Sequence, residues 1–260
     1  MNARARAAAV LLTASLVGMA CGSSDDGAGG SSSGGSSSGG SSSGGSSSGG
    51  SSSGDPSAVR SLGAPESGEA TYYDADGSGN CSFDKSPNDL MVAALNATQY
   101  AKASVCGACM RVTGAKGAAV VRIVDKCPGC RANGGIDLSR EAFAAVDEPS
   151  RGRVAVTLEP VSCAVAGALA FRFKEGSSKY WTAIQVRNHR LPIKSVEWEK
   201  GGAWQPMERA DYNYFVASSG VGDQPGGLRL RITASDGQSV TETLPSILDG
   251  AVAPGTQQFR

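Results

Sequence analysis

The cysteines constrain the fold of this chain more than any other residue type. Six of the seven lie between positions 81 and 163, and none follows. They are Cys81, Cys106, Cys109, Cys127, Cys130 and Cys163. In an exported chain this even number predicts three disulfides, although six cysteines allow fifteen pairings. The distribution therefore predicts a disulfide-stapled first domain, residues 68–165, and a cysteine-free second domain, residues 167–260.

The C-x-x-C spacings leave two other chemistries open. Cys106/Cys109 and Cys127/Cys130 have the spacing of zinc ligands, so a four-cysteine zinc ribbon is an alternative. Export and the two additional cysteines weigh against it. The CPGC sequence of the second pair also resembles a redox motif, but its proline and glycine are more typical of a loop. We expect no metal and no cofactor.

The N-terminal segment has the pattern of an export signal. Arg4 and Arg6 precede an apolar run at 7–20, which is too short to span a bilayer as a mature helix. The small residue before Cys21 resembles the lipobox of bacterial lipoproteins, which implies lipidation of Cys21. Because Gly18 stands where leucine is usual, secretion without an anchor is the alternative.

Repeats of glycine and serine continue through Gly54. Such a tract cannot bury a core, so residues 22–67 are predicted to be a disordered linker. Roughly 30 such residues have an r.m.s. span of about 30 Å, which would hold a folded domain away from a membrane surface.

Charge and histidine content exclude several functions. The chain has 24 Lys and Arg against 24 Asp and Glu, so nucleic acid is not an expected partner. The one histidine, His189, excludes a zinc site built from several histidines. A Ser–His–Asp triad would require His189, which we expect to be a surface or structural residue.

The pattern of the first domain predicts mostly short strands. Residues 118–124 are apolar and β-branched, and residues 153–158 alternate. Two short helices are predicted at 88–95 and at 140–146, the second with Ser139 as its N-cap. Many strands with few helices favour a closed barrel.

Three segments of this domain resemble the six-stranded double-psi β-barrel of expansins, which bind cellulose and loosen plant cell walls. They are GEATYY at 68–73, IVD at 123–125 and GIDLS at 135–139. The CGAC sequence at 106–109 resembles plant expansins and barwin-like proteins. This resemblance implies the disulfides Cys81–Cys106, Cys109–Cys163 and Cys127–Cys130.

The same resemblance implies a polysaccharide groove. Asp137 takes the place of the aspartate that is essential for wall loosening, and Thr71 and Asp125 take the places of its neighbours. Each has a simpler interpretation. Asp137 is also placed to favour the N-terminus of the following helix, Thr71 is compatible with an ordinary strand, and Asp125 with the capping of a loop.

One position departs from the bacterial pattern. Relatives have a tyrosine where Cys127 stands, which removes one expected sugar contact. Tyr72 or Tyr73, next to Thr71 in the sequence, is a candidate to replace it.

The second domain is a succession of strand patterns. They lie at 169–173, 182–187, 195–199, 214–217, 228–232 and 240–244. Turn signals at 201–202 and 236–237 have hairpin spacing, and the whole favours an immunoglobulin-like β-sandwich. Trp198 and Trp204 fit best as core or hairpin residues.

Residues 174–189 (KEGSSKYWTAIQVRNH) closely resemble the start of the second expansin domain. The resemblance implies a cellulose-binding platform of Tyr180, Trp181 and Tyr212, with Lys174 alongside. Aromatic rings cover the apolar face of a pyranose at little entropic cost. Tyr180 replaces a common tryptophan, which predicts weaker binding, and the aromatics as ordinary core residues are the alternative.

The resemblance implies a monomeric bacterial protein, exported or held at the cell surface by a lipid anchor, that binds cellulose and loosens walls without cleaving bonds. Two other classes stay open. One is an enzyme on the same barrel, an endoglucanase or a lytic transglycosylase, and the other is a cellulose adhesin. Plant cellulose, peptidoglycan and the cell's own matrix are all candidate targets.

Overall fold

The computed structural model describes residues 59–260. The predicted leader, Cys21 and the repeats through Gly54 therefore lie outside the described residues. Within the described range, a closed six-stranded barrel precedes a four-stranded and a five-stranded sheet. The all-β architecture predicted from the sequence is confirmed. No helix between residues 59 and 260 is long and apolar enough to cross a membrane.

The barrel strands and helices follow one another closely. They are β1 (Glu66–Tyr73), β2 (Val92–Asn96), α1 (Ala97–Tyr100), β3 (Cys109–Thr113), β4 (Ala118–Cys127), β5 (Gly135–Ser139), α2 (Arg140–Val146), a 3₁₀ turn (Pro149–Arg151) and β6 (Val154–Val161). The strand order is β1-β5-β2-β4-β3-β6, and β6 closes the barrel by pairing with both β1 and β3. Alternate residues fill its interior, together with Phe143 of α2.

Several residues before the expected start at Gly68 are part of the barrel domain. Strand β1 starts at Glu66, and the N–H of Leu62 donates to the carbonyl of Pro160 (2.8 Å). Gly68 itself lies where a Cβ would come within 2.6 Å of the Gly134 carbonyl oxygen. Glycine at this position thus allows β1 to approach the turn before β5.

One of the two predicted helices is wrong. Residues 88–95 do not form a helix, because Val92–Asn96 is strand β2, buried along its whole length between β4 and β5. A short apolar run fits a buried strand as well as a buried helix. Here the run is a strand because β4 and β5 pair with it on its two sides. The second helix is confirmed as α2 (Arg140–Val146), with the Ser139 hydroxyl accepting from the N–H of Ala142 (3.1 Å).

The second domain has more strands than its sequence pattern predicted. They are β7 (Ala170–Phe173), β8 (Thr182–Arg187), β9 (Ile193–Lys200), β10 (Ala203–Pro206), β11 (Glu208–Arg209), β12 (Phe215–Ala217), β13 (Leu228–Ala234), β14 (Ser239–Leu244) and β15 (Val252–Pro254). The sheets have the orders β10-β9-β13-β14 and β11-β12-β8-β7-β15. Their inner residues form one apolar core, so the sheets pack as a sandwich. The short edge strands β10, β11 and β15 are the ones the pattern missed.

The predicted hairpin and tryptophan positions agree with the sandwich. Gly201 and Gly202 have φ of +58° and +84° and join β9 to β10, as a two-residue mirror turn requires. Trp198 is buried in the core. Trp204 lies on the outer face of the same hairpin, with the guanidinium of Arg231 4.8 Å from its ring.

Three disulfides connect the cysteines of the barrel domain. They are Cys81–Cys106, Cys109–Cys163 and Cys127–Cys130, the pairs that the resemblance implied. The zinc-ribbon alternative is wrong, because the six sulfur atoms are bonded in three pairs and none is free to bind zinc. A turn follows Cys127, so the CPGC segment lacks the strand-to-helix context of a thioredoxin-type site.

Hydrogen bonds join the barrel to the sandwich around one disulfide loop. The Cys81 carbonyl accepts from the side-chain amides of Gln185 (2.8 Å) and Asn213 (3.2 Å). His189 is buried at this junction, where its Nδ1–H donates to the Leu191 carbonyl (2.8 Å). Its role is therefore structural, as expected, and it is not part of a triad.

Candidate functional site

A row of side chains crosses four adjacent strands on the outer face of the barrel. In register, Thr71 of β1 pairs with Asp137 of β5, Asp137 with Ala94 of β2, and Ala94 with Asp125 of β4. Residues opposite one another point to the same face of a sheet. Two strand spacings separate the aspartates, about 10 Å between backbones, and the buried Ala94 lies between them. The structure thus brings together the three predicted groove residues.

Asp137 is the more enclosed carboxyl group of this row. It is half-buried, and its Oδ1 accepts a hydrogen bond from the Thr71 hydroxyl (2.5 Å). Burial raises the pKa of Asp137, the hydrogen bond from Thr71 opposes the rise, and the negative charge of Asp125 adds to it. A raised pKa suits a group that donates a hydrogen bond or a proton to a bound ligand.

Asp125 is tied to the backbone of the neighbouring loop. Its Oδ1 accepts from the N–H groups of Asn80 (2.6 Å) and Lys126 (2.8 Å). A Cβ on Gly79 would lie 2.5 Å from the Asp125 side chain, so only glycine lets the loop come this close. Asp125 therefore caps the loop, as its simpler interpretation proposed, and also occupies a place in the row.

The two tyrosines after Thr71 lie on opposite faces of β1. Tyr72 packs against Phe143, with ring centroids 4.9 Å apart, on the face that carries the core residue Ala70. Tyr73 shares the face of Thr71, and its pKa is raised by burial and by Asp125, Asp137 and Asp76. The expectation that Tyr72 lines the groove is therefore corrected in favour of Tyr73, because strand alternation reverses neighbouring side chains.

The Tyr73 hydroxyl is an unusual polar group. It is buried and has no hydrogen-bond partner among residues 59–260. A protonated tyrosine hydroxyl can donate one hydrogen bond, so this group is a donor without an acceptor. Buried polar groups of this kind are rare, because leaving one unpaired costs about 1–3 kcal/mol.

The acidic loop after β1 holds no free carboxylate. Arg140 is hydrogen-bonded to Asp74 (2.5 Å), and Lys85 pairs with Asp76 (2.9 Å). Asp76 also accepts from the N–H of Ser78 (3.0 Å). The hydrogen bonds from Arg140 lower the pKa of Asp74, and those from Ser78 and Lys85 lower the pKa of Asp76. Both groups stay ionised in ion pairs.

The Cys127–Cys130 disulfide lies beside Asp137. The two sulfur atoms and a carboxylate oxygen of Asp137 lie within 4.8 Å of one another. Cysteine thiolates and a carboxylate are zinc ligands, but in the disulfide form the sulfurs are not available to a metal.

The predicted aromatic residues lie along one sheet of the sandwich. Tyr180 is the most exposed, with 74% of its surface accessible, and Trp181 and Tyr212 are half-buried. Trp181 directly precedes β8, and Tyr212 lies in the turn before β12, the strand that pairs with β8. We call Tyr180, Trp181 and Tyr212 the aromatic line; none of the three is a core residue.

Lys174 lies close to Tyr212. Its N–H donates to the carbonyl of Ala183 near the start of β8, and its ammonium lies 6.0 Å from the ring centre of Tyr212 and 5.7 Å from that of Tyr214. Tyr214 was not predicted. Its ring centre lies 5.8 Å from that of Tyr212, but Tyr214 itself is buried.

Asn80 connects the barrel row to the aromatic line. Its N–H donates to Asp125, and its side-chain amide donates to the carbonyl of Asp211 (3.1 Å), next to Tyr212. The Tyr100 hydroxyl donates to the same carbonyl (2.8 Å). Asn80 was not predicted from the sequence, where its position between Gly79 and Cys81 was the available signal.

Comparison with known proteins gives a consistent set of relatives. A double-psi β-barrel family model described as "Lytic transglycolase" matches residues 92–158. Expansin-YoaJ of Bacillus subtilis is 35% identical over 214 residues, 78% of this chain and 90% of its own length. Expansin-like protein 5 of Dictyostelium discoideum is 30% identical over 202 residues, 73% of this chain and 83% of its own length.

A solved structure agrees with these sequence matches. The crystal structure of a mutant Clavibacter michiganensis expansin in complex with cellohexaose is similar with a TM-score of 0.71 and 33% identity. The match covers 76% of this chain and 98% of that one, and thus includes both the barrel and the sandwich.

Proposed function

This chain belongs to the expansin family, and on that premise we propose that it binds cellulose through the sandwich and loosens wall polymers at the barrel groove. One observation carries the proposal. Asn80 links the Thr71–Asp137–Asp125 row to the aromatic line, so a glucan lying on the rings would continue toward the carboxyl groups. The similar Clavibacter protein was crystallised with cellohexaose.

The platform supplies affinity in this proposal. Tyr180, Trp181 and Tyr212 would stack on successive apolar sugar faces, and Lys174 would bind a hydroxyl at the side. The linear platform that the family resemblance implies would match an extended, flat chain better than a branched or globular ligand. Exposed rings need little reorganisation before they bind.

The groove would hold the glucan by hydrogen bonds. Asp137, oriented by Thr71, would bind one sugar hydroxyl, and a movement of the Tyr73 side chain would bring its buried, unpaired hydroxyl to another. Displacing contacts between wall polymers requires only such competing hydrogen bonds. The loosening we propose breaks no covalent bond.

Glycan cleavage is the second candidate, and the match to the lytic transglycolase family model favours it. Inverting hydrolysis needs an acid and a base about 6.5–9.5 Å apart, with a water between them. Asp137 has the raised pKa of an acid. The other nearby carboxylates are engaged, however: Asp125 by two backbone N–H groups, and Asp74 and Asp76 by ion pairs. We therefore propose that the protein does not hydrolyse glucans.

One experiment separates these functions. The whole protein and Asp137→Asn are compared in a filter-paper weakening assay and in a reducing-sugar assay on amorphous glucan. We expect weakening that needs Asp137 and no steady release of reducing ends. The exposed Asp89→Asn on the barrel is the matched control. Release of reducing ends that Asp137→Asn abolishes would identify an enzyme, and full weakening by Asp137→Asn would leave only an adhesin.

We also propose export and anchoring at the cell surface. The leader, the small residue before Cys21 and the glycine-serine tract support a lipid-anchored monomer whose folded part extends from the membrane. Mass spectrometry of the exported protein, with or without a lipid on Cys21, tests the anchor. Pull-down on cellulose, chitin and peptidoglycan tests the polymer, and we expect the strongest binding to cellulose.

A further inference from the structure

The cluster of Cys127, Cys130 and Asp137 brings together three side chains of two types, cysteine and aspartate, that bind zinc in proteins. Cys127 ends β4, Cys130 follows after a two-residue turn, and Asp137 lies in the middle of β5. Their sulfur and carboxylate atoms lie within 4.8 Å of one another. We propose that reduction of the Cys127–Cys130 disulfide creates a zinc site, with two thiolates and the Asp137 carboxylate as protein ligands.

The distances agree with tetrahedral coordination. Zinc binds thiolate at about 2.3 Å and carboxylate at about 2.0–2.2 Å, so tetrahedral ligand atoms lie roughly 3.4–3.8 Å apart. The carboxylate has to move by at most about an ångström to reach this range. The two sulfurs separate by side-chain rotation once their bond is broken, and C-x-x-C is the usual spacing of a zinc-binding pair.

The disulfide is the most accessible of the three. It is the one bridge with two partly exposed cysteines, Cys127 and Cys130, because Cys81 and Cys106 are both buried and the partly exposed Cys109 is bonded to the buried Cys163. Thiolate attack on a disulfide requires access to one of its sulfurs. A dithiol reductant in solution should therefore open Cys127–Cys130 before the other two bridges.

The chemistry balances with a dithiol and zinc alone. The dithiol gives two electrons and two protons to the Cys127–Cys130 bond and becomes a cyclic disulfide. Zinc binding then releases the two thiol protons, because the thiolates are the ligands. No other oxidant or reductant takes part.

The surroundings favour a metal with an open position. Thr71 donates to Oδ1 of Asp137, which fixes the carboxylate as outer hydrogen bonds do in known metal sites. A cavity of about 70 Å³ lies beside Thr71, Cys127 and Cys130. Since a water takes up about 30 Å³, this space accommodates an ion and a water as its fourth ligand.

The local charge also suits a divalent cation. Two thiolates and a carboxylate bring three negative charges against two on zinc. Arg153 and Arg131 line the same cavity, and Arg153 pairs with Glu69. The two arginines offset the one negative charge that remains on the complex. The positive charge of Arg153 is partly balanced by Glu69, so it repels the zinc ion less.

Zinc on Asp137 would remove that carboxylate from the groove. This consequence for loosening rests on the proposed function, whereas metal binding does not. The test therefore measures the metal itself, so that failure of the site and failure of the proposed function are distinguishable.

The test uses the whole protein. One sample stays oxidised, and another is treated briefly with dithiothreitol and desalted without oxygen. Both are equilibrated with zinc chloride, desalted again, and analysed for zinc by atomic emission and for free thiols. We expect about one zinc per chain after reduction and none before it. Equal uptake by both samples, or none after two thiols have formed, would overturn the proposal.

Variants identify the ligands. Cys127→Ser with Cys130→Ser should abolish uptake after the same treatment, while circular dichroism confirms the fold. Zinc uptake by this variant would assign the metal to the other cysteines and refute the site. Asp137→Asn should weaken zinc binding by about tenfold or more, and the control Asp89→Asn should not. Equal affinity of Asp137→Asn and the unsubstituted protein would exclude Asp137 as a ligand and overturn the proposed set.

Discussion

The barrel groove and the sandwich platform differ in how their side chains are held. In the groove, Asp137 and Asp125 are fixed by hydrogen bonds from Thr71, Asn80 and Lys126. On the platform, Tyr180 is largely exposed. Rings that bind a flat surface need area and little else, whereas a carboxyl group that competes for specific hydrogen bonds needs a fixed position. The proposed attachment to cellulose thus requires exposed ring area, whereas the proposed loosening requires carboxyl groups that are held in place.

The two domains also differ in what stabilises them. Each of the three disulfides lies in the barrel domain or directly at its end. The described sandwich relies on its apolar core, which includes Phe171, Phe173 and Phe215. The barrel core contains more alanine, for example Ala70, Ala93 and Ala119, and therefore buries less apolar area per residue. Covalent links compensate for this smaller core.

Removal of the longest disulfide loop should have the largest effect on stability. Cys109 and Cys163 are 54 residues apart, and Cys127 and Cys130 only three. Loop-closure entropy predicts a loss of about 4 kcal/mol for Cys109→Ala with Cys163→Ala, against about 2 kcal/mol for the short loop. Urea unfolding of both oxidised variants measures the difference. Equal losses would mean that local packing, not chain entropy, decides what each bridge contributes.

Acid should weaken the junction through His189. Burial lowers the pKa of His189 from 6.5 to about 4. Between these values the unfolded chain binds a proton that the folded state excludes, so stability falls as the pH falls through this window. The full loss is about 3 kcal/mol near pH 4.

The matched variant for this prediction is His189→Gln, which does not titrate. Free energies of unfolding, measured from pH 7 to pH 4, should fall more steeply for the unsubstituted protein than for His189→Gln. Parallel curves would contradict the assignment of this acid sensitivity to His189.

Loss of one platform ring should weaken cellulose binding without affecting the groove. We expect Trp181→Ala to have the largest effect, followed by Tyr180→Ala and Tyr212→Ala. A lost stacking ring is worth about 1–3 kcal/mol by analogy with bases, or roughly 5- to 150-fold in affinity. Depletion binding to crystalline cellulose measures it. Trp204→Ala, on the opposite sheet, is the control, and a folded triple variant with normal binding would exclude the platform.

The smallest effect should come from Asp137→Asn on stability. Because the pKa of Asp137 is raised, its charge destabilises the folded state above that pKa, and this effect disappears below the unfolded pKa of about 3.9. Asp137→Asn should therefore be slightly more stable at pH 7, by less than about 1 kcal/mol, and no more stable near pH 3. Thermal unfolding at both pH values measures this, and a less stable variant at pH 7 would contradict it.

Local pattern in the sequence was sufficient for much of this protein. Alternation predicted the central strands of the sandwich, such as β8 (Thr182–Arg187), since a period of two depends only on neighbouring residues. The Ser139 cap and helix α2 were predictable for the same reason. The number of cysteines limited the possible disulfide sets to fifteen but did not select one of them. The resemblance to a family selected the set that the structure has.

Tertiary structure decided the rest. Val92–Asn96 became a strand because β4 and β5 pair with it on both sides, which no local period encodes. Thr71, Asp137 and Asp125 form one row only because strands distant in sequence are adjacent in the barrel. The choice of Tyr73 over Tyr72, and the link through Asn80, depend on that same register. Patterns along a chain specify which side chains share a face, whereas the pairing of strands, fixed by burial of the whole core, specifies which faces meet.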